Sequence, residues 1–582
     1  MILQALVNYY EELEQQGKVA KLGWCQAKVS HAIELNEDGT IKTIISLKTE
    51  VERGKKKIWV AKPLNVPEMV TRSSGIAPNF LCDNAKYFLG IDEEGTRQRI
   101  MDCFQAAREK HLTILEYAEG KMAKAIYLYF KNWNPELAKD NFAVKEHWDE
   151  LNEGGNIIFS MEGIYAQEDD EIRGIWDKLQ AKESNGKTGT CLVTGQKTEI
   201  ARIHRGIKGV PGAQSSGAAL VSFNAPAFES YGKEQSYNAP VGKYAEFAYA
   251  TALNYLLNQR EYQFSLGDSM IVFWAESGKK EYQKTFLSWM NPQPDNQKEM
   301  RNVFGNLEKG LWVDLDDINL DSNQPFYILC LAPNAARLSV RFFYQNSFGT
   351  ILNNIVRHYH RLEIVKSSRV DNEYLGIQKM LDETVNQKSK DKTPVPNMAA
   401  MVLKAMLDDS RYPESLYMDT LIRIRAEQGK VTYGRAAIIK AFLIKNRGWK
   451  EGENDMGLNE ECKETSYVLG RMFAVLESIQ KDANPGINAT IRDRYFNSAC
   501  ATPASIFPVL IKLKNSHIKK IDRGSVAGKI YYEKLLADLM GKLDVSEKNA
   551  GIPKRLSLEE QGKFMLGYYH QIQKKYEKKE DK

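Results

Sequence analysis

Residues 191–257 read CLVTGQKTEIARIHRGIKGVPGAQSSGAALVSFNAPAFESYGKEQSYNAPVGKYAEFAYATALNYLL and hold a loop, a strand-like run and a helix in one piece. The loop is basic and glycine-punctuated, with His204, Arg205, Lys208, Gly209, Gly212, Gln214, Ser215, Ser216 and Gly217 before the apolar AALVSF. Asn224, Gln235 and Asn238 follow among aromatics, and the stretch ends in an amphipathic helix. Exposed backbone amides, carboxamides and scattered cations suit phosphates and base edges. No nucleophile–base pair or metal-ligand cluster accompanies them, so the stretch reads as a nucleic-acid-binding scaffold with no catalytic residues and no cofactor.

Working outward, the N-terminal side mixes elements. A first helix ends near Gly17. Residues 24–68 carry short β-branched runs broken by Glu-Asp-Gly and Arg-Gly turns, the pattern of antiparallel strands. A Gly/Pro/Asn-rich loop, SGIAPNFLCDNAKYFLGID, spans 74–92, and residues 96–132 keep helical spacing at Ile100, Cys103, Phe104, Ala107 and Leu112. Residues 214–223 and FYILCLAPNAARLSVRFF (326–343) read as strands, and 353–365 as a helix.

Toward the C-terminus the polar ETVNQKSKDKTPVPN (383–397) reads as a linker or exposed loop. Beyond it nearly everything is helical. Four amphipathic helices are predicted over 464–481, 503–517, 525–543 and 557–576. Thr502 is the expected N-cap of the second, with Pro503 at its first position, and Ser557-Leu-Glu-Glu560 forms a capping box for the last. Short connections favour antiparallel packing. The expected class is therefore α+β: a mixed, strand-rich region over 1–382, the loop 383–397, a helical connector over 398–455, and a four-helix-type bundle over 456–582.

The chain has 582 residues, a 43% apolar fraction and a net charge of +5, as an ordinary multidomain globular protein does. Residues 456–582 carry 22 Lys plus Arg against 16 Asp plus Glu, leaving 58 cations against 59 anions before them. A basic tail on a near-neutral body points to a polyanionic partner. There is no long apolar run, so no membrane span is expected. The seven cysteines form no C-x-x-C pair, which fits reduced thiols in a cytoplasm.

Other patterns exclude chemistry. Gly186-Lys187-Thr188 has Ala181 where a phosphate-binding loop needs glycine, and Val210-Pro211 interrupts the evenly spaced Gly206, Gly209 and Gly212. Cys191 and His204 lack the second cysteine of a zinc site, where Thr194 stands, and His358 and His360 point to different sides of one helix, so no metal site is assigned. Alternation in ARLSVRF places Arg337, Ser339 and Arg341 on one strand face and Leu338, Val340 and Phe342 on the other. Two arginines and a hydroxyl on one rail suit a phosphate or base edge, or else carboxylate partners. Asn79, Asn84, Lys86 and Tyr87 can likewise contact a minor groove, or serve a structural turn.

SGIAPNFLCDNAKYFLG, the block over 191–241, LAPNAARLSVRFF and SYVLGRMFAVLESIQ together resemble the large subunit of the type I-C CRISPR–Cas Cascade surveillance complex. That resemblance implies a non-catalytic, cytoplasmic subunit that recognises the protospacer-adjacent motif in double-stranded target DNA, while guide pairing reads the rest. Its C-terminal bundle would follow the displaced single strand. Its partners would be the crRNA-containing backbone and crRNA-processing subunits, a recruited helicase–nuclease, and a small subunit made from within the same gene. Met456 is the expected internal start: Glu451-Gly452-Glu453 can be encoded by the purine-rich GAAGGAGAA. The match identifies blocks and not roles, so residues are assigned by their chemistry. Asn79, Asn84, Lys86, Lys208, Gly209, Gln214, Ser215 and Ser216, with Arg337 and Arg341, are assigned to motif reading and strand separation. Lys512, Lys514, Lys519 and Lys520 are assigned to the displaced strand. Two rival readings remain at this point: an RNA-processing nuclease using His204 with Lys208, and a protein–protein scaffold.

Overall fold

The computed structural model describes the chain except residues 54–55, 71, 73–74, 94, 183–185, 291, 294–299, 304, 306–312, 316–317, 369, 371–372, 451–455, 544, 547–548 and 575–582. It divides into two compact units, one of residues 1–206 with 221–255 and one of residues 207–220 with 256–582. The stretch 383–397 lies inside the second unit.

The first unit is built on the strand Trp24–Leu35, buried on both faces from Val29 onward. Its first half pairs antiparallel with Lys62–Pro67, and its second half antiparallel with Ile41–Ser46. It also pairs in parallel with Asn156–Met161, which the sequence reading did not anticipate. That partner arrives only after a helical crossover, the connection a parallel pair needs. Strands Thr49–Arg53 and Lys56–Val60 pair only with each other, as a separate two-stranded ribbon. The predicted helix over 96–132 is two helices, Arg97–Leu115 and Lys121–Asn132. The break is capped from outside the helices, because the Glu171 carboxylate accepts the N–H groups of Glu119 (2.8 Å) and Gly120 (2.7 Å). Phe80, Phe88, Phe104, Phe130 and Phe159 fill the core between helices and sheet.

The second unit carries a four-stranded antiparallel sheet of Gln263–Leu266, Ser269–Ala275, Pro325–Asn334 and Arg337–Ser347. The last two form the hairpin expected from FYILCLAPNAARLSVRFF. Residues 214–223 are not a strand. They make two isolated bridges, Ala218 with Ile207 and Ala219 with Arg337, because positive φ at Gly209, Gly212 and Gly217 breaks any continuous ladder.

The helices follow: Phe348–Leu362, Ile377–Asp382, Met398–Asp408, Glu414–Ala426 and Tyr433–Arg447, then Thr465–Ala483, Ile491–Ala501, Pro503–Gly524, Val526–Gly541 and Leu558–Gln573. The architecture is thus α+β with helices toward the C-terminus. Among the described residues the last group has five helices, not four. Ile491–Ala501, opened by a Thr490–Asp493 capping box, is the addition. The Ser557–Glu560 box forms as expected. Thr502 does not cap, since its hydroxyl bonds back to the Ser498 carbonyl at 3.1 Å. One apolar core runs from Leu266 on the sheet to Tyr569 on the last helix. Among the described residues no helix is long and apolar enough to cross a membrane.

Candidate nucleic-acid interface

In the first unit, the loop before the helix Ala85–Phe88 is held from within. Asp83 is buried and bonds the Arg72 guanidinium through both oxygens, while accepting the N–H groups of Asn79 (2.8 Å) and Asn84 (2.9 Å). Arg72 also donates to the Ala77 carbonyl at 2.6 Å and lies over the Tyr87 ring. Asn79 itself is buried, and its carboxamide oxygen accepts the Val70 N–H at 2.9 Å. The carboxamide oxygen of Asn84 is buried with no partner among the described residues, and Lys86 pairs with Asp92. His111 completes the frame: its Nε2 accepts the Leu81 N–H at 3.0 Å while Nδ1 donates to the Ala107 carbonyl. Among its described residues, this loop presents Gly75 and Ile76 to solvent, not Asn79.

Residues 208–216 are different. Lys208, Gly209, Gln214, Ser215 and Ser216 are all exposed. The loop is nevertheless fastened at its root. Ile207 and Ala218 exchange backbone hydrogen bonds at 2.8 and 2.9 Å, Ala219 donates to the Ala336 carbonyl, and Leu338 donates to the Ala219 carbonyl. A Cβ on Gly209 would meet the Leu257 carbonyl at 3.3 Å, and one on Gly212 the Pro333 ring at 3.2 Å, so both positions demand glycine. The structure thereby brings this loop beside Arg337. Strict alternation along that strand fails further on. A bulge shifts the register so that Leu331 faces Val340 and Cys330 faces Phe342, leaving Val340 exposed and Arg341 as the extra residue. Arg341 bonds Asp268 at 3.0 Å.

The neighbouring Arg205 does not face a ligand. Its guanidinium is engaged by Glu246 and by Glu68 (2.5 Å). His204 is buried, with Nδ1 2.6 Å from the Tyr249 hydroxyl, and burial first, then the adjacent Arg205 charge, lowers its pKa to about 4. Lys208 belongs to the other unit.

On the helix Pro503–Gly524, Lys512, Lys519 and Lys520 are exposed and Lys514 is half-buried. Lys520 bonds the Asn484 side chain at 2.8 Å. At 100° per residue, Lys512 and Lys519 share one face with the exposed Arg523, which the sequence reading missed although its spacing is helical. The strands Thr49–Arg53 and Lys56–Val60, expected from the Arg-Gly turn, were assigned no role. They carry an exposed Trp59 and an exposed Lys57 that pairs with Glu50 at 3.2 Å. The second unit also has a cleft of about 970 Å³ whose border mixes Lys379, Lys388, Arg423 and Lys430 with Asp382, Glu383 and Glu427.

Among ligand-type side chains, His358 is buried and bonds the Tyr412 hydroxyl at 2.7 Å, while His360 pairs with Glu363. All seven cysteines are free. Burial would raise the Cys191 thiol, but the N–H groups of Gly242, Thr194 and Val193 aimed at its sulfur bring it below the usual range. One group does converge among the described residues: His31, His147 and Glu150, whose ligand atoms all lie within 4.8 Å of one another.

No curated protein is similar enough to the chain to be counted a relative. The family model described as CRISPR-associated protein (Cas_Csd1) matches residues 6–576, nearly the whole chain across both units. Its span covers the buried 79–84 frame, the exposed 208–216 loop and the basic tail helix alike. The chain therefore belongs to the Cas_Csd1 family of CRISPR-associated proteins, as a large-subunit component of a Cascade complex.

Proposed function

We propose that this chain is the large subunit of a type I-C surveillance complex and works in the cytoplasm without covalent chemistry of its own. It reads the protospacer-adjacent motif in duplex DNA, helps open the duplex, holds the displaced strand and presents the complex to a separate helicase–nuclease. The observation that carries this is the 208–216 loop, with Lys208, Gln214, Ser215 and Ser216 exposed while its root is bonded to the strand of Arg337. A rigidly rooted loop bearing a cation, a carboxamide and hydroxyls is suited to base edges flanked by phosphates. The nuclease reading loses support, because its base would be His204, a buried imidazole bonded to Tyr249. The Lys512, Lys519 and Arg523 face serves the displaced strand.

The same reading has residues 456–582 also made separately as the small subunit. Met456 is exposed, and residues 451–455, where the ribosome-binding codons would fall, lie outside the described residues. Silent recoding of Glu451–Glu453 is expected to diminish a tail-sized product, and an undiminished band would refute the internal start.

Gel shifts of the assembled complex on targets with a randomised flanking trinucleotide test the main proposal. Gln214→Ala is expected to relax the trinucleotide preference. Lys208→Ala is expected to weaken all sequences alike and to lower the salt slope by about 1. If both variants gave unchanged curves, the loop would have no part in recognition.

A further inference from the structure

We propose that the first unit holds a binding site for one divalent transition-metal ion of the zinc class, formed by His31, His147 and Glu150. His31 is buried on the central strand, where the pairing with Asn156–Met161 shifts register between Val29 and His31. Its Nε2 lies 3.1 Å from a carboxylate oxygen of Glu150. His147 is the hinge residue between two short helices, Phe142–Glu146 and Trp148–Asn152, and its Nδ1 lies 3.9 Å from the other Glu150 oxygen. The three ligand atoms are thus mutually within 4.8 Å without any side chain having to travel from elsewhere. His31 lies more than a hundred residues before the other two, so the His147–Glu150 spacing of three gave no sign in the sequence of a third ligand.

Two imidazole nitrogens and one carboxylate suit Zn²⁺, Co²⁺ or Ni²⁺ rather than Mg²⁺ or Ca²⁺, which prefer sites made of oxygen alone. The local charge supports a cation. Lys48 lies 3.4 Å from Glu150 and 3.8 Å from Glu153, so two carboxylates share one ammonium and the cluster carries a net charge of −1. When an ion takes Glu150, Lys48 retains Glu153. Lys48 immediately precedes the ribbon strand Thr49–Arg53, so the ion would sit at the root of that ribbon and tie the central strand to the Trp148–Asn152 helix.

The test uses the full-length chain stripped with a chelator, titrated with Zn²⁺ by calorimetry and with Co²⁺ by visible absorption. One equivalent is expected to bind and to raise Tm. His147→Ala and Glu150→Gln are each expected to weaken that binding by at least about tenfold, the loss that even a second-layer partner brings, and to abolish the Tm increase. Lys48→Ala, which removes a competing cation, is expected to tighten it. His147 and Glu150 are partly exposed while His31 is buried, so these variants remain readable where His31→Ala could unfold the strand. No uptake, uptake equal in wild type and both variants, or displacement by equimolar Mg²⁺ would each overturn the site. Protospacer recognition does not depend on it and would stand in any of these cases.

Discussion

At the residue scale the family block around Asn79 is a frame. Asp83 satisfies a guanidinium and two backbone N–H groups from a buried position, so its removal strands Arg72 as well. Asp83→Ala is expected to destabilise the first unit by about 3 kcal/mol, the range for breaking one side of a buried charge pair. Asn79→Ala, which frees only the Val70 N–H, should cost about 1–2 kcal/mol. Denaturant unfolding measures both. Neither should alter the trinucleotide preference of complex that remains folded. The sequence made the 74–92 segment recognisable as a loop of polar and aromatic residues. It could not tell whether the Asn79 carboxamide faces inward, because that depends on its partner, the Val70 N–H, whose position the fold decides. Lys208 and Gln214 are exposed because positive φ at Gly209, Gly212 and Gly217 interrupts regular pairing around them, which the sequence reading did not use when it placed 214–223 in a strand.

At the scale of elements, helical periodicity gave the long helices of the tail and the Ser557–Glu560 capping box, but not the Thr502 cap, and missed Ile491–Ala501, whose charged and small residues draw no clear apolar stripe. The AALVSF run was misread because an apolar hexapeptide can also lie half-buried in a loop, as all of it but the buried Ala218 does, and not only in a ladder. Thr465–Ala483 and Leu558–Gln573 cross closely enough that a Cβ on Gly470 would overlap the Phe564 carbonyl, and one on Gly567 the Tyr467 carbonyl. Gly470→Ala must push the two helices apart, and should cost about 1–3 kcal/mol in thermal or denaturant unfolding. On the helix Pro503–Gly524, neutralising Lys512, Lys519 and Arg523 together should lower the salt slope for single-stranded DNA by up to about 2 without changing sequence preference. Lys514, well round the helix from that face, should contribute less when changed alone.

At the scale of the whole molecule, histidine burial governs the response to acid. Burial lowers His111 to about 3 and, with Arg205, His204 to about 4 in the first unit; burial with Arg361 lowers His358, and burial with Lys440 lowers His570, each to about 3, in the second. All four have folded pKa values below the unfolded value of 6.5, so the stability they contribute is present above about pH 6.5 and is lost as pH falls toward 4. Two such groups per unit give a slope of up to about 2.7 kcal/mol per pH unit. Tm should therefore drop between pH 6.5 and 4, and a flat profile there would show these imidazoles to be protonated in the folded chain.

The apolar core of the second unit joins sheet and last helix beneath the 386–396 loop, where Lys388, Lys390 and Lys392 stand exposed. Trypsin should cut there first. The resulting fragments would be covalently separate yet wedded by their shared interior, co-eluting on a sizing column and parting only in denaturant.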